Sequence, residues 1–289
     1  MNTIRHIIVI PVYNDWKSLN KLLIQINKNF KNDVNFETEI LIINDCSTEN
    51  IQIDNKNLTA IKEITVITLK KNFGSQKSIA IGLSHLKTKN YKSLITIMDG
   101  DGEDNPHQIK DMMHEAINNQ NLIITSNRKR RQESFFIRTL YNLHLILTYI
   151  FTFKWISFGN FSTFDSDNLD KILSNNSAWY AHSSAILNNC KIKRLYAKRE
   201  KRYFDKSKLN LLALVEHSLR VNVVFLNKIF INSLFYTVLI FYFTAPSHLS
   251  FFFILMIIIF NIFLLFIKKK HYIKNLVNLN NLIDNIKLF

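Results

Sequence analysis

The 289-residue chain predicts an α/β fold with a mostly parallel sheet, followed by a hairpin of two apolar helices. Three observations carry that prediction. Short β-branched runs alternate with helical patterns at roughly 30-residue spacing up to about residue 126. Clusters of polar residues follow three of the strand ends. Residues 229–267 contain no Asp, Glu, Lys or Arg.

The elements follow in order. Strands read at residues 7–12, 40–43, 66–69, 94–98 and 122–125, with helical patterns at 16–30, 76–86 and 108–118. With only five Gly and three Pro, each is a landmark. Pro11 ends the first strand, Gly74 precedes the second helix, and Pro106 opens the third as an N1 proline. Tyr13-Asn14-Asp15, Asn44-Asp45-Cys46-Ser47 and an acidic run after residue 98 all lie beyond strand carboxyl ends, where α/β sheets bind ligands.

The acidic run sits in L-I-T-I-M-D-G-D-G-E-D-N-P (94–106), which places four carboxylates within six positions. Such crowding is tolerated most easily where a cation neutralises it. Hard oxygen ligands select Mg²⁺ or Mn²⁺, and Mg²⁺ commonly joins one or two carboxylates to substrate phosphates. Gly100 removes a side chain there, which lets a diphosphate approach the backbone.

Composition narrows the partners. A formal charge of +15 and a pI near 9.7 suit nucleic acid or an anionic membrane surface, and the 47% hydrophobic content with 23 Phe favours the membrane. Nucleic-acid modules interleave aromatics with their basic residues, whereas these basic runs abut apolar helices. Cys46 and Cys190 form no framework or metal spacing, which fits a reducing cytosol. Residues 7–10 before Pro11 are too short for a signal-peptide core.

Beyond residue 126 the character changes. Arg128-Lys129-Arg130-Arg131 precedes an apolar segment, 135–153, that carries Arg138, Asn142 and His144 and reads as an interfacial helix. A basic run at 191–208 precedes a second amphipathic helix at 209–224. Pro246-Ser247-His248 splits the uncharged stretch into 229–245 and 249–267, each near the ~20 residues that a bilayer requires. Lys228 and Lys268-Lys269-Lys270 flank the pair, so the positive-inside rule puts both ends in the cytoplasm. The expected organisation is a cytosolic domain over 1–225, a transmembrane hairpin over 229–267 and a basic cytosolic tail over 268–289. The chain is expected in the cytoplasmic (inner) membrane as a multi-pass protein, with its catalytic domain in the cytoplasm.

The ordered motifs I-P-V-Y-N-D (10–15), I-N-D-C-S-T (43–48), N-F-G-S-Q-K-S-I-A-I-G (72–82), M-D-G-D-G-E-D-N-P (98–106) and S-N-R-K-R-R (126–131) resemble family 2 glycosyltransferases of the GT-A fold. R-E-K-R-Y-F-D-K-S-K (199–208), followed by the hairpin, is similar to the polyprenyl-phosphate group that contains dolichol-phosphate mannose synthase and bacterial undecaprenyl-phosphate relatives. The resemblance covers roughly residues 5–267 and implies a Rossmann-like, mixed but mostly parallel sheet.

The resemblance also implies roles. Pro11, Tyr13, Asp15 and Gly100 would line the donor pocket, with Asp45 accepting a hydrogen bond from the base. Asp99, Asp101 and Glu103 match the metal-binding triplet, and Asp99 and Asp101 would be its catalytic pair. Arg202 and Lys208 match a basic pair on the donor diphosphate. Arg128, Arg138 and Asn142 align with positions that receive the acceptor phosphate. The expected activity is metal-dependent, inverting transfer of a hexose from a UDP- or GDP-sugar to polyprenyl (undecaprenyl) phosphate. A phosphate acceptor with a second pKa near 6 arrives ionised and needs no general base.

The chain departs from the family pattern at several positions. Asn44-Asp45 stands for Asp-Asp, Glu103 for Gln, and Asn160-Phe161-Ser162 for Asp-Phe-Arg; Asp205 and Leu209 replace Gly and Tyr. The loss of the Arg at Ser162 keeps a second acceptor in play, a lipid-linked oligosaccharide of surface-polysaccharide (O-antigen or capsule) assembly. A membrane scaffold with a dead transferase domain is opposed by the intact Asp99 and Asp101. A homo-oligomer is compatible with the sequence.

Overall fold

The computed structural model describes residues 3–128, 135–197, 200–204, 211–244, 246–274, 276 and 279–289. The chain forms two compact units: Met1–Arg130, Ser157–Ser207 and Asn275–Phe289 make the first, and Arg131–Ile156 with Lys208–Lys274 make the second.

The first unit begins with β1 (Ile4–Val12), α1 (Trp16–Phe30), β2 (Phe36–Asn44), β3 (Ile61–Leu69), α2 (Ser75–Lys89), β4 (Leu94–Ile97), α3 (Gln108–Asn118) and β5 (Leu122–Arg128). After α4 (Phe135–Thr152), which belongs to the second unit, come β6 (Phe158–Asp165), α5 (Leu169–Leu173), α6 (Ser177–Tyr180), α7 (His182–Asn189) and β7 (Lys191–Ala197). The second unit continues with α8 (Leu211–Val223), α9 (Leu226–Thr244) and α10 (His248–Lys270), and β8 (Ile283–Leu288) returns to the first.

The eight strands form one sheet in the order β7-β5-β6-β4-β1-β2-β3-β8. β1 pairs in parallel with β2 and β4, β2 with β3, and β5 with β7; β6 runs antiparallel to β4 and β5, and β8 to β3. The strand order therefore reverses about β1, which opens a crevice beyond the carboxyl ends of β1, β2 and β4. Val12 lies opposite Asn44 and Val9 opposite Ile97, so the loops after those three strands start close together.

Both sheet faces are covered, which is why the central strands read as continuous apolar runs. Ile8, Ile10, Ile40, Ile42 and Val66 pack with Leu19, Leu22, Leu23 and Ile26 of α1 and with Met112 and Met113 of α3. On the other face α2 comes close enough that a Cβ on Gly82 would lie 2.9 Å from Ile43 Cδ1 and 3.1 Å from Val9 Cγ1. A buried polar line crosses the sheet: His6 Nε2 meets Thr96 Oγ1 at 2.9 Å, and Thr96 Oγ1 meets Thr163 Oγ1 at 2.8 Å.

In the second unit, Ser218 Oγ contacts His144 Nδ1 at 2.6 Å, joining α8 to α4. Asn232 Nδ2 and Tyr236 OH on α9 donate to the carbonyls of Phe151 and Ile150 at 2.7 and 2.6 Å. Glu216 holds Lys270 and His271 at 2.7 Å each. Ser247 and Ser250 form a capping box that starts α10 after Pro246. Among the described residues, α9 and α10 are long and apolar enough to cross a membrane, by length and composition.

The structure extends four of the five expected strands, ends β4 one residue early at Ile97, and adds three. β6 was hidden because F-G-N-F-S-T-F-D carries Gly, Asn and Asp and lacks a clean alternation. β7 is a basic run, K-I-K-R-L-Y-A, whose β character comes from pairing with β5. β8 corrects the reading of 268–289 as a tail throughout, since Thr65 lies opposite Leu288 and Thr68 opposite Asn285. Its I-D-N-I-K-L run is an edge strand, exposed from Asp284 to Leu288 with apolar Ile286 and Leu288 among the exposed residues.

Burial lowers the pKa of His6 and of His182 from 6.5 to about 3. The unfolded chain therefore binds protons first, so the stability that these residues confer is complete above pH ~6.5 and is lost as pH falls toward 3. Denaturant unfolding of the purified chain should show stability falling on acidification through this range, by at most about 1.4 kcal/mol per pH unit for each histidine. His6→Val should make that slope shallower.

Candidate active site

The crevice is floored by the turn that follows β4. Met98 N–H still donates to Val9 O at 3.2 Å, and then the chain leaves the sheet with its four carboxylates. Asp104 turns back into the turn and accepts the Asp99 N–H at 3.0 Å. Asp101 Oδ1 accepts the Glu103 N–H at 3.0 Å. Asp99 Oδ1 accepts from Asn160 Nδ2 of β6 at 3.0 Å. Asp101 Oδ2 meets Arg202 Nη2 at 2.5 Å, and Arg202 Nε lies 3.6 Å from Glu103 Oε1. One guanidinium thus serves two of the four carboxylates.

Arg202 is delivered by a strap pinned along the turn. The Glu200 N–H donates to Glu103 O and the Tyr203 N–H to Asp101 O, both at 3.0 Å. Gly102, at φ +84°, makes room for the strap: a Cβ there would lie 2.4 Å from the Tyr203 ring. Lys21 Nζ of α1 caps that ring from 4.5 Å. Burial raises the Tyr203 pKa, and the nearby Glu200 and Asp101 carboxylates push the same way.

The loops after β1 and β2 are stitched by Asn14, which takes the left-handed conformation at φ 49°. Its Oδ1 accepts the Thr48 N–H at 2.8 Å, its Nδ2 donates to Thr48 Oγ1 at 2.9 Å, and its own N–H donates to Ser47 Oγ at 3.0 Å. Pro11 is half-buried at the end of β1, and Tyr13 is 41% exposed at the crevice rim.

Three expected donor contacts have other work in this structure. Asp15 caps α1, with Oδ1 accepting the Ser18 N–H at 3.3 Å. Asp45 was expected at the base edge, yet it is 3% exposed and both oxygens accept backbone N–H groups, Phe73 at 2.7 Å and Gly74 at 2.8 Å. It is a clamp on the start of α2. Burial raises its pKa, and those two bonds partly offset the rise. Gly100 is closely packed: a Cβ would meet Ile10 Cγ2 at 3.2 Å and Pro11 O at 3.5 Å.

Of the remaining expected residues, Arg138 and Asn142 lie exposed on α4 in the second unit. Arg128 ends β5, and Lys208 lies outside the described residues. Gln76, Asn160, Ser162 and His182 were not expected at the site and form a hydrogen-bonded group behind Asp99. Gln76 lay within a quoted motif and Asn160-Ser162 stood out only as a departure; no local signal marks His182.

Asp99, Asp101 and Glu103 offer only carboxylate oxygens, the donor set of Mg²⁺ or Mn²⁺. Among the described residues no three-ligand metal group is assembled, and Arg202 stands as the cation between Asp101 and Glu103. The donor chemistry fits a hard cation.

Solved structures share this fold. The chain superposes on glucosyl-3-phosphoglycerate synthase from Mycobacterium tuberculosis, in a complex with Mn²⁺, UDP-glucose and phosphoglyceric acid, with a TM-score of 0.56. Sequence identity is 11%, over 78% of this chain and 80% of that one. Staphylococcus aureus TarS matches with a TM-score of 0.50 at 17% identity, over 78% of this chain and 39% of TarS. The chain spans 65% of the TarS 1–349 fragment. A family profile described as glycosyl transferase family 2 matches residues 7–179, which hold the crevice, the acidic turn and Asn160. The chain belongs to glycosyl transferase family 2.

Proposed function

We propose that this chain transfers a hexose from a nucleotide sugar to a polyprenyl phosphate at a membrane surface, with inversion at the sugar carbon. The observation that carries the reading is the acidic turn beyond β4, held with Arg202 at the switch point of the sheet. Such a place suits a diphosphate with its cation. A divalent cation, when bound, would neutralise the charge that builds on the leaving nucleotide, and Asp99, Asp101 and Glu103 would hold it. Arg202 would then take the diphosphate as its anion in place of the carboxylates, by the bidentate geometry that suits guanidinium. The strap that carries Arg202 sits directly on the turn, so its side chain has little distance to travel.

The second unit supports the acceptor half. Two helices fit a membrane, and α4 exposes Leu143, Ile146, Tyr149 and Ile150 beside Asn142 and Arg138. An apolar face with a cation suits a lipid surface that carries a phosphate. The phosphate oxygen is charged near neutral pH and attacks the sugar carbon without a protein base. The domain boundaries of the sequence reading, a catalytic domain with a membrane hairpin, belong to this proposal, as does placement at the cytoplasmic membrane. Extension of a lipid-linked oligosaccharide is the rival reading, which Ser162 keeps open.

Membranes containing the chain, given Mn²⁺ or Mg²⁺ and a panel of radiolabelled nucleotide sugars beginning with UDP-glucose, should label added undecaprenyl phosphate. Label appearing only on an added lipid-linked oligosaccharide would move the reading to the rival. Asp101→Asn should lower transfer by roughly a hundredfold or more while the protein stays folded and membrane-bound, and chelation should do the same to the wild type. Near-normal turnover in either case would overturn the site assignment. Arg138→Ala should lower kcat/KM for polyprenyl phosphate by about ten- to a hundredfold, through KM, and leave KM for the nucleotide sugar nearly unchanged. Arg202→Ala should do the reverse, and small equal effects at both positions would remove the case for a lipid phosphate.

A further inference from the structure

The group behind Asp99 has a direction. His182 opens α7, and its backbone N–H is one of the helix-start donors that has no partner inside the helix. It donates to Gln76 Oε1 at 2.8 Å. A backbone N–H can only donate, so the oxygen of Gln76 must face it and the NH₂ must face away. Gln76 Nε2 then donates to Asn160 Oδ1 at 2.9 Å, and Asn160 Nδ2 donates to Asp99 Oδ1 at 3.0 Å. The far end is a carboxylate, which when ionised only accepts. With a fixed donor at one end and a fixed acceptor at the other, neither amide can flip without setting two like groups face to face.

A second set of bonds locks Asn160 from behind. Ser162 Oγ donates to the Asn160 carbonyl at 3.0 Å and also meets His182 Nε2 at 3.0 Å. The hydroxyl has one proton, already given to Asn160, so His182 donates through Nε2. That tautomer leaves Nδ1 as a bare acceptor, and Nδ1 is buried with no partner among the described residues. Gln76, Ser162 and His182 are all buried.

We propose that Gln76 and Asn160 are positioning residues of the donor site, forming a one-way amide relay that sets the orientation of the Asp99 carboxylate for work on the nucleotide sugar. The proposal rests on the reading of the acidic turn as that site. A hydrogen bond to a charged group contributes enough that its loss or reversal should change donor affinity by about ten- to a hundredfold.

The test is Gln76→Glu, which keeps the shape and reverses the sense. The introduced carboxylate, when ionised, still accepts from the His182 N–H, but its other oxygen cannot donate. Asn160 must then turn its NH₂ toward the new carboxylate and present its oxygen to Asp99. Calorimetry on the purified full chain should show affinity for UDP-glucose with Mn²⁺ falling about ten- to a hundredfold. The ratio of variant to wild-type affinity should recover as acidification protonates the new carboxyl and lets it donate. The other titratable groups in the group are Asp99 itself and His182, which burial keeps neutral. Gln76→Met, which loses both bonds without reversing either, should be milder than Gln76→Glu. If Gln76→Glu lowers the melting temperature, Asn160→Ala carries the test, since Asn160 is only half-buried and its loss removes the Asp99 bond directly. A wild type that binds the donor, with Gln76→Glu and Asn160→Ala both within twofold of it, overturns the relay and spares the functional reading. A Gln76→Glu deficit that ignores pH also overturns the relay. A wild type that binds no nucleotide sugar in a full panel overturns the functional reading and the relay with it.

Discussion

Four carboxylates within six residues at the end of one strand are the constraint around which the first unit is arranged. Two like charges ~4 Å apart repel by about 4 kcal/mol at the effective dielectric of a protein surface, so the turn cannot stand alone. Each carboxylate is given a partner. Asp104 braces the turn from within, Asp99 is held by β6 through Asn160, and Asp101 and Glu103 share the Arg202 guanidinium. The placement of β6 follows from this need. Ile97 lies opposite Ser162 in the antiparallel pair, so two residues on along β4 and two residues back along β6, Asp99 comes beside Asn160. A parallel neighbour of β4 at that position would carry its chain in the same direction and could not return Asn160 to the turn in this register.

The sequence made the first half of the fold readable because its elements are periodic and buried. α1 and α3 fall where their apolar spacing puts them, at Trp16–Phe30 and Gln108–Asn118, and the parallel strands are apolar runs between turn residues. β6, β7 and β8 were not readable, since their residues are chosen by the strand they pair with and not by an intrinsic pattern. The acidic turn announced itself by local density of charge. Its partners did not: Gln76 and His182 are 106 positions apart and Asp99 and Asn160 are 61 apart, and no local pattern records such pairings. Asp15 carries a second signal: D-W-K-S before an apolar periodic run is a helix N-cap pattern in plain view, and the structure shows that cap in place. Asp45 was likewise placed by motif, whereas its two oxygens answer the needs of a loop whose backbone donors lie 28 and 29 residues away.

Asn160 and Ser162 are best understood as one change from the family pattern. Where the resemblance has Asp-Phe-Arg, this chain has Asn-Phe-Ser, exchanging an opposite-charge pair for two neutral residues two positions apart, on the same face of β6. Ser162 is fully buried and hydrogen-bonded to a histidine that burial keeps neutral. An arginine in that pocket would be a buried charge facing a neutral histidine, which is costly without an anion to pair it. Changing both removes the problem, and the neutral pair is then satisfied by groups that carry no charge: the amide of Gln76 and the ring of His182. The same exchange removes the negative charge that an Asp at residue 160 would place against Asp99, and supplies in its stead an N–H donor. The Asp99 carboxylate is thereby held by a hydrogen bond and not pushed by a like charge, one electrical departure from the pattern beside the charge gained at Glu103 and the charge lost at Asn44.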